Sequence, residues 1–245
     1  MNDNTHDTTI ALITGANKGL GYETARRLGA LGMTVLVGAR DRARGEGAVR
    51  RLREGGADAH LVDLDLTDAT SIAAAAHDVD RRFGKLDVLV NNAGIGGGQT
   101  PSQQDLRAMR ALFETNVYGT IAVTQALLPL IERARGGRIV NVSTTLASLP
   151  LASDPTHRIA EWNMLFGYTA SKAVVNAFTV RLAHELRSRG IKVNAVCPGY
   201  VATDFNGHRG VRTVEQGAEI IVRMATIGDD GPTAGFFDES GEVAW

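Results

Sequence analysis

A tyrosine and a lysine near the middle of the chain are the residues best suited to acid–base chemistry. Tyr168 and Lys172 lie four positions apart, so on an α-helix their side chains share one face and lie one turn apart. A free tyrosine has a pKa of about 10, and a nearby ammonium group favours the phenolate and lowers that pKa. The pair therefore predicts a proton donor or acceptor, although the same spacing also occurs by chance on exposed helices.

Composition limits the kinds of protein that this sequence can be. The chain has 245 residues, of which 44% are hydrophobic and 22% charged, enough for one substantial core. We expect a polar flexible tail over residues 1–8 and a single domain over 9–245. The net charge of -1 predicts no general attraction to nucleic acid or to an anionic membrane, and we interpret the arginines between residues 42 and 53 as a solvated helix face.

The single cysteine and the absence of long apolar runs limit the cellular compartments in which we expect this protein. Cys197 is the only cysteine, which excludes an intrachain disulfide and a zinc site built from several thiolates. Residues 1–9 contain no Lys or Arg, and no apolar run approaches the length of a membrane span. We predict a cytoplasmic protein with no metal site.

The elements that must position Tyr168 and Lys172 alternate between short apolar runs and longer helical patterns. The runs predicted as strands are 10–14, 34–37, 61–62, 88–90, 138–142 and 192–196, with a short final strand at 235–237. The predicted helices are 20–31, 41–53, 68–83, 104–133, 167–189 and 214–226. This alternation predicts an α/β fold in three layers, a mainly parallel sheet with helices on both faces.

A glycine-rich turn joins the first strand to the first helix. Gly15, Gly19 and Gly21 let the backbone turn sharply and let a pyrophosphate approach the helix N-terminus, where free N–H groups and the helix dipole favour an anion. The spacing differs from the general G-x-G-x-x-G pattern, and a glycine-rich turn can also be only a tight connection. Its place between a strand and a helix favours a dinucleotide site.

Several further motifs follow this turn in a fixed order, and together they carry a family resemblance. They are Asn91-Asn92-Ala93-Gly94, Asn116, Asn141-Val142-Ser143-Thr144, Tyr168 to Lys172, and Pro198-Gly199. From about residue 8 onward the chain resembles the short-chain dehydrogenase/reductase family, in particular its carbonyl-reductase-like branch. The resemblance implies a Rossmann-type, doubly wound fold and hydride transfer between a nicotinamide cofactor and a carbonyl or alcohol.

Charge near the second strand distinguishes between the two nicotinamide cofactors. A cofactor without a 2'-phosphate is usually held by an acid about 20 residues beyond the glycine turn, but here that place reads Gly38-Ala39-Arg40. Lys18 and Arg40 could flank a 2'-phosphate, which predicts NADP(H). The alternative is that both are ordinary surface cations and that Asp41 cancels Arg40.

The resemblance also assigns roles to individual residues. It implies that Tyr168 exchanges the proton, that Lys172 lowers the tyrosine pKa and holds the nicotinamide ribose, and that Asn116 fixes a backbone bend near that lysine. The family's second hydroxyl falls on Thr144 instead of a serine, with Ser143 as the second choice. The implied cofactor-binding residues are Gly15, Asn17, Lys18, Gly19, Leu20, Gly21, Arg40, Asp65, Leu66, Asn92, Ala93, Gly94, Tyr168, Lys172, Pro198, Gly199, Val201 and Thr203.

Two stretches bear on the substrate and on assembly. Residues 149–166 could form a wall of a pocket for a bulky apolar ketone or aldehyde, or a packed surface loop. Residues 204–212 could be a mobile lid over the substrate, or only a connecting loop. The apolar stretches 117–131 and 173–186 could be homodimer or homotetramer interfaces, but they could also be covered within one chain. We expect a monomer.

Two other functions compete with a reductase. One is a non-catalytic, NADP(H)-sensing regulatory protein of the same fold, which the Thr144 substitution leaves open and the intact Tyr168 and Lys172 disfavour. The other is a sugar-nucleotide epimerase or dehydratase of related fold, for which we expect a different glycine spacing and a larger C-terminal substrate region than 245 residues allow.

Overall fold

The computed structural model describes residues 8–245, with Ala160 described by its backbone only. Of the polar tail predicted for residues 1–8, residues 1–7 lie outside the described residues.

A mainly parallel sheet forms the middle layer. Its strands are β1 (Ile10–Thr14), β2 (Thr34–Ala39), β3 (Ala59–Asp63), β4 (Val88–Asn91), β5 (Arg138–Val142), β6 (Lys192–Val196), β7 (Phe236–Asp238) and β8 (Gly241–Glu242). They lie in the order β3-β2-β1-β4-β5-β6-β7-β8, and all neighbours are parallel except β7 and β8. The order reverses between β1 and β4, and such a switch point opens a ligand crevice at the carboxyl ends of the strands.

Helices cover both faces of this sheet. They are α1 (Gly19–Ala30), α2 (Arg42–Glu54), α3 (Ala69–Phe83), α4 (Leu106–Phe113), α5 (Thr120–Ile131), α6 (Leu149–Ser153), α7 (Phe166–Leu186) and α8 (Val214–Ala225). One apolar core joins the sheet to α3, α5 and α7, and a second joins it to α1, α2 and α8. The central strands are continuous apolar runs because both of their faces are buried. The predicted α/β, doubly wound fold is confirmed.

The helix predicted over 104–133 is wrong as one continuous helix. A 3₁₀ turn at Pro101–Gln103 precedes α4, whose N-terminus is capped by the Asp105 side chain, and a π-helical stretch at Glu114–Gly119 separates α4 from α5. π-helical turns widen a helix locally and often occur at functional sites. Hydrophobic periodicity does not distinguish a π-helical stretch from an α-helix, because either kind of helix is apolar on the side that faces the sheet.

Other boundaries differ by a few residues. The helix predicted to reach residue 189 ends at Leu186 and continues as a 3₁₀ turn, Arg187–Arg189. The last predicted strand is followed by an additional short antiparallel strand, β8. Within residues 8–245, every helix is too short or too polar to cross a lipid bilayer.

Candidate active site

Hydrogen bonds hold the glycine turn against the end of β4 at the switch point. The Thr14 hydroxyl oxygen accepts from the backbone N–H groups of Asn92 (3.0 Å) and Ala93 (2.9 Å). The Asn92 side-chain amide donates in return to the Thr14 carbonyl oxygen at 2.9 Å. The crevice between β1 and β4 therefore has a fixed base.

The conformation of the turn requires glycine at the predicted positions. Gly15 and Gly19 have φ angles of +66° and +56°, in the left-handed region that favours glycine. A Cβ added to Gly21 would lie 2.6 Å from both the Asn92 amide nitrogen and the Gly15 carbonyl oxygen. Leu20 instead faces α8, where its side chain lies against Gly217.

This turn fits the phosphates of a dinucleotide. Among residues 8–245, no side chain caps the N-terminus of α1, which begins directly after Lys18. The first N–H groups of a helix need a partner, and an anion satisfies them and the helix dipole together. The glycines leave room for that anion beside the backbone.

Tyr168 and Lys172 lie on α7 at the same end of the sheet. Lys172 is buried, and its Nζ donates to the Val142 carbonyl oxygen at 2.7 Å, at the end of β5. A Cβ added to Gly94 would lie 3.6 Å from that Nζ, so the lysine reaches the segment that follows β4. Tyr168 is half-buried, and its ring centroid lies 5.6 Å from that of Phe205.

Burial changes the protonation equilibria of both residues. Loss of solvent lowers the pKa of Lys172 to about 8, because a buried ammonium group is costly. Burial also raises the pKa of Tyr168, and the nearby Cys197 thiol adds to that effect. The expected lowering of the tyrosine pKa by Lys172 is therefore wrong for this structure, in which desolvation of the phenol dominates and the ammonium donates to Val142.

Asn116 joins the segment after β4 to α7. It lies in the π-helical stretch and is fully buried. Its amide nitrogen donates to the Ile95 carbonyl oxygen (2.9 Å) and to the Ser171 hydroxyl (3.0 Å), and its Oδ1 accepts from the Ile95 N–H at 2.8 Å. The Ser171 hydroxyl in turn donates to the Tyr168 carbonyl oxygen at 2.7 Å. Asn116 thus positions the backbone beside both Tyr168 and Lys172.

The two candidate hydroxyl groups after β5 have different surroundings. Ser143 is buried and donates to the Asn176 side chain at 2.6 Å, inside the protein. Thr144 is only partly buried, and its hydroxyl oxygen accepts a long 3.3 Å bond from the Leu146 N–H. The structure therefore does not bring the Ser143 hydroxyl into the crevice, whereas the Thr144 hydroxyl remains accessible.

The predicted phosphate-binding cations have different surroundings, since Lys18 belongs to the glycine turn and Arg40 follows β2. Arg40 has a side chain that is 77% exposed, and it lies 4.0 Å from Asp65. Asp41 does not pair with Arg40, because its carboxylate caps α2 by accepting from the Arg44 N–H at 3.0 Å and contacts the Arg44 guanidinium at 3.3 Å. The contacts of Asp41 therefore do not support the alternative that this residue cancels the charge of Arg40.

Two arginines on α2 were not predicted to belong to this region. A pocket next to the turn is lined by Asn17, Lys18, Ala43, Arg44, Gly47, Arg51 and Asp204. The Arg51 guanidinium also lies over the Tyr22 ring, 4.9 Å from its centroid. Arg44 and Arg51 lie two helical turns apart on one face, and this spacing could have identified them. Both residues are exposed, as expected for a solvated helix face, but their place in the lining of this pocket was not predicted.

Asp65 and Leu66 are held by local contacts after β3. The Asp65 carboxylate accepts from the Thr67 N–H (2.9 Å) and hydroxyl (2.8 Å). Burial acts to raise the pKa of Asp65, but these hydrogen bonds and the Arg40 charge outweigh it and leave that pKa below its usual value. Leu66 packs against Gly119 of the π-helical stretch. Asp65 therefore acts as a turn residue here, and its proposed adenine contact stays a prediction.

The segment after β6 returns to the glycine turn. Gly199 has a φ of +79°, which makes the turn after Pro198. Thr203 approaches the glycine turn, since a Cβ added to Gly19 would lie 3.7 Å from its methyl group. Val201 is buried against Gly217 of α8, so its side chain faces the core, and only its backbone is left to meet a cofactor.

Two residues of the segment after β6 make aromatic contacts, Phe205 with Tyr168 and Tyr200 with Trp162. The ring centroids of Trp162 and Tyr200 lie 5.7 Å apart in an edge-to-face arrangement. A Cβ added to Gly96 would lie 2.5 Å from the tip of the Phe205 ring, so Phe205 lies between the segment after β4 and Tyr168. Residues 149–166 contain α6 and two 3₁₀ turns, Arg158–Glu161 and Asn163–Leu165. Phe205 lies in the stretch 204–212 that the sequence indicated as a possible lid, but its contact with Tyr168 could not be predicted, because loop residues carry no periodic signal.

Comparison with known proteins supports the family resemblance. Residues 9–212 match the family model for short chain dehydrogenase. The short-chain dehydrogenase anuI of Penicillium roqueforti (strain FM164) is 40% identical over 226 residues, which cover 89% of each chain. Salutaridine reductase of Papaver bracteatum is 34% identical over an alignment that covers 93% of each chain.

A solved structure extends the likeness to three dimensions. The NADPH-bound carbonyl reductase from chicken fatty liver superposes with a TM-score of 0.84 at 27% identity, covering 97% of this chain and 98% of that one. The sheet order, the glycine turn and the Tyr168–Lys172 helix are thus accompanied by similarity over most of the sequence. The chain belongs to the short-chain dehydrogenase family of oxidoreductases.

Proposed function

We propose that this protein is an NADP(H)-dependent oxidoreductase that reduces a ketone or aldehyde, or oxidises the corresponding alcohol, with Tyr168 as the acid or base. The observation that carries the proposal is the convergence of three elements at the switch point. The Tyr168–Lys172 pair on α7, the segment after β4 and the glycine turn meet there, and Asn116 joins the first two by hydrogen bonds.

The choice of the phosphorylated cofactor rests on charge. Lys18, Arg44 and Arg51 line one pocket beside the glycine turn, and Arg40 lies at the end of β2. Arginine binds phosphate oxygens through paired N–H groups, so this cluster favours a 2'-phosphate over a ribose hydroxyl. The similar carbonyl reductase was solved with NADPH.

Each residue of the site has a distinct task. NADPH, when bound, supplies the hydride that the substrate carbon accepts. A tyrosine is a neutral phenol near pH 7, so Tyr168 holds the proton that it can donate to the substrate oxygen, and the burial that raises its pKa keeps it in this protonated form. The Thr144 hydroxyl donates a second hydrogen bond to that oxygen. Lys172 supplies an N–H donor for the nicotinamide ribose, and Asn116 holds the backbone that places both α7 residues.

The surroundings of Tyr168 favour a bulky apolar substrate. The Phe205 ring lies beside that of Tyr168 and exposes 52% of its surface, and the paired Trp162 and Tyr200 expose 46% and 38% of theirs. Such side chains bury large apolar area, and partly exposed aromatic groups around a few polar groups are typical of small-molecule pockets.

An NADPH-consumption screen with aldehydes, quinones and cyclic ketones tests the proposal. Tyr168→Phe is expected to lower kcat by about 100-fold or more, while the Kd for NADPH stays within about twofold, since the ring remains and only the hydroxyl group is lost. Tyr118→Phe is the matched control, because Tyr118 lies on the exposed side of the π-helical stretch. Equal activity in Tyr168→Phe would eliminate the proposed proton donor. Tight NADPH binding without turnover on any substrate would favour the sensing function instead.

A further inference from the structure

An aspartate from the segment after β6 lies in the basic pocket. The Asp204 carboxylate contacts Lys18 Nζ at 2.7 Å through one oxygen and His208 Nε2 at 2.8 Å through the other. It also lines the pocket that contains Arg44 and Arg51. The described lining of this pocket therefore combines three cations with one carboxylate.

The position of Asp204 is set by its own segment as well as by Lys18. Thr203 and Asn206 form a reciprocal capping box around the 3₁₀ turn Asp204–Asn206, and the Asn206 amide donates to the Val201 carbonyl oxygen at 2.8 Å. Gly207 and His208 follow with φ angles of +62° and +60°. The carboxylate is thus presented to the pocket by a turn with its own hydrogen bonds.

We propose that Asp204 is a selectivity residue that competes with the 2'-phosphate of the cofactor for Lys18. This inference rests on the proposed use of NADP(H). A 2'-phosphate beside Lys18 and Arg44 meets the Asp204 carboxylate, and like charges at such distances disfavour each other. Asp204 therefore weakens binding of the phosphorylated dinucleotide and leaves the unphosphorylated one nearly unaffected.

A bound phosphate can readily replace the Asp204 carboxylate as the partner of Lys18. The Lys18 and Asp204 side chains are 55% and 54% exposed, and solvent-exposed pairs of this kind are weak and screened by salt. A phosphate monoester carries about −1.5 to −2 charge at pH 7 and can bind Lys18 and the α2 arginines at once, so it displaces the carboxylate. Each molecule of phosphorylated cofactor breaks the same ion pair on binding.

Binding of 2',5'-ADP and 5'-ADP to the full chain, measured by titration calorimetry, tests this competition without requiring turnover. Asp204→Asn is expected to bind 2',5'-ADP about 3- to 10-fold more tightly than the wild type, and 5'-ADP within about twofold of it. The Kd for NADPH is expected to fall in parallel with that of 2',5'-ADP. In a Lys18→Met background the gain from Asp204→Asn is expected to shrink, because the competed cation is gone.

Asp230→Asn is the matched control. Asp230 is exposed and lies in the turn after α8, near Gly228, and its substitution changes the net charge equally. Unchanged or weaker 2',5'-ADP binding by Asp204→Asn, or equal gains for both nucleotides, would overturn the competition while leaving the reductase proposal intact. A wild-type chain that binds neither 2',5'-ADP nor NADPH would instead overturn the proposed function, and the competition with it.

Discussion

Replacing the buried Lys172 by methionine is expected to abolish activity without lowering stability at pH 7. Lys172→Met keeps a long side chain of similar volume but removes the ammonium group that donates to the Val142 carbonyl oxygen at 2.7 Å. We expect no turnover, since the variant loses the donor proposed for the ribose. The informative quantity is the free energy of unfolding and its dependence on pH.

The magnitude follows from the lysine pKa. Burial lowers it from the ordinary 10.5 to about 8, which corresponds to about 3 kcal/mol of burial cost for the charged form. The methionine avoids that cost at pH 7 but leaves the Val142 carbonyl without its lysine partner, which costs about 1–3 kcal/mol. At pH 7 we therefore expect Lys172→Met to be as stable as the wild type or more stable by up to about 2 kcal/mol.

The sign of the pH dependence is determined by the lowered pKa. Between pH 8 and 10.5 the unfolded chain holds the lysine proton while the folded chain releases it, so Lys172 makes the wild type gain stability as pH rises. The burial cost falls from about 3 kcal/mol at pH 7 to about 1 kcal/mol at pH 10. Between pH 7 and pH 10 the unfolding free energy of the wild type should therefore rise by about 2 kcal/mol relative to that of the variant.

Urea unfolding of both proteins at pH 7, 8.5 and 10 measures this shift. Comparing the two proteins at each pH cancels the titration of groups that they share. If the difference in unfolding free energy between the two proteins stays constant from pH 7 to pH 10, or if the variant gains stability relative to the wild type as pH rises, the idea that burial of Lys172 costs stability is refuted.

Two further substitutions probe the crevice. Gly21→Ala is expected to abolish measurable NADPH binding and to cost about 1–3 kcal/mol of stability, because the new methyl group would meet backbone and side-chain atoms at 2.6 Å. Thermal melts and calorimetry check this against Gly55→Ala, whose added methyl group would meet only carbonyl oxygens at 3.3 and 3.6 Å. Normal NADPH binding by Gly21→Ala would contradict the close-approach argument. Thr144→Ser should retain kcat/KM within about threefold and Thr144→Val should lose about 100-fold, and equal activity of both variants would show that the hydroxyl is not used.

Local patterns in the sequence predicted most of the fold and the centre of the site. Strands β1 and β2 are almost entirely apolar, and the N-caps of α2 and α3, Asp41 and Asp68, are residues of a type that marks a helix start within a short stretch of sequence. Tyr168 and Lys172 could be paired because helical spacing is itself local.

What could not be predicted depends on contacts between distant parts of the chain. Lys18 and Asp204 are 186 positions apart, so no local pattern indicates that a carboxylate lies beside the proposed phosphate site. The raised pKa of Tyr168 depends on solvent exclusion by the surrounding fold. The orientation of the Ser143 hydroxyl towards Asn176 likewise depends on how α7 packs against β5.

The wide helical turn at Glu114–Gly119 has a consequence for how this sequence tolerates change in length. Deleting one residue there would restore the tighter and more regular hydrogen-bonding ladder while rotating the inward amide of Asn116 away from Ile95. A variant with that deletion is therefore expected to form a more regular helix and to lose the hydrogen bonds that hold Ile95, in the segment after β4.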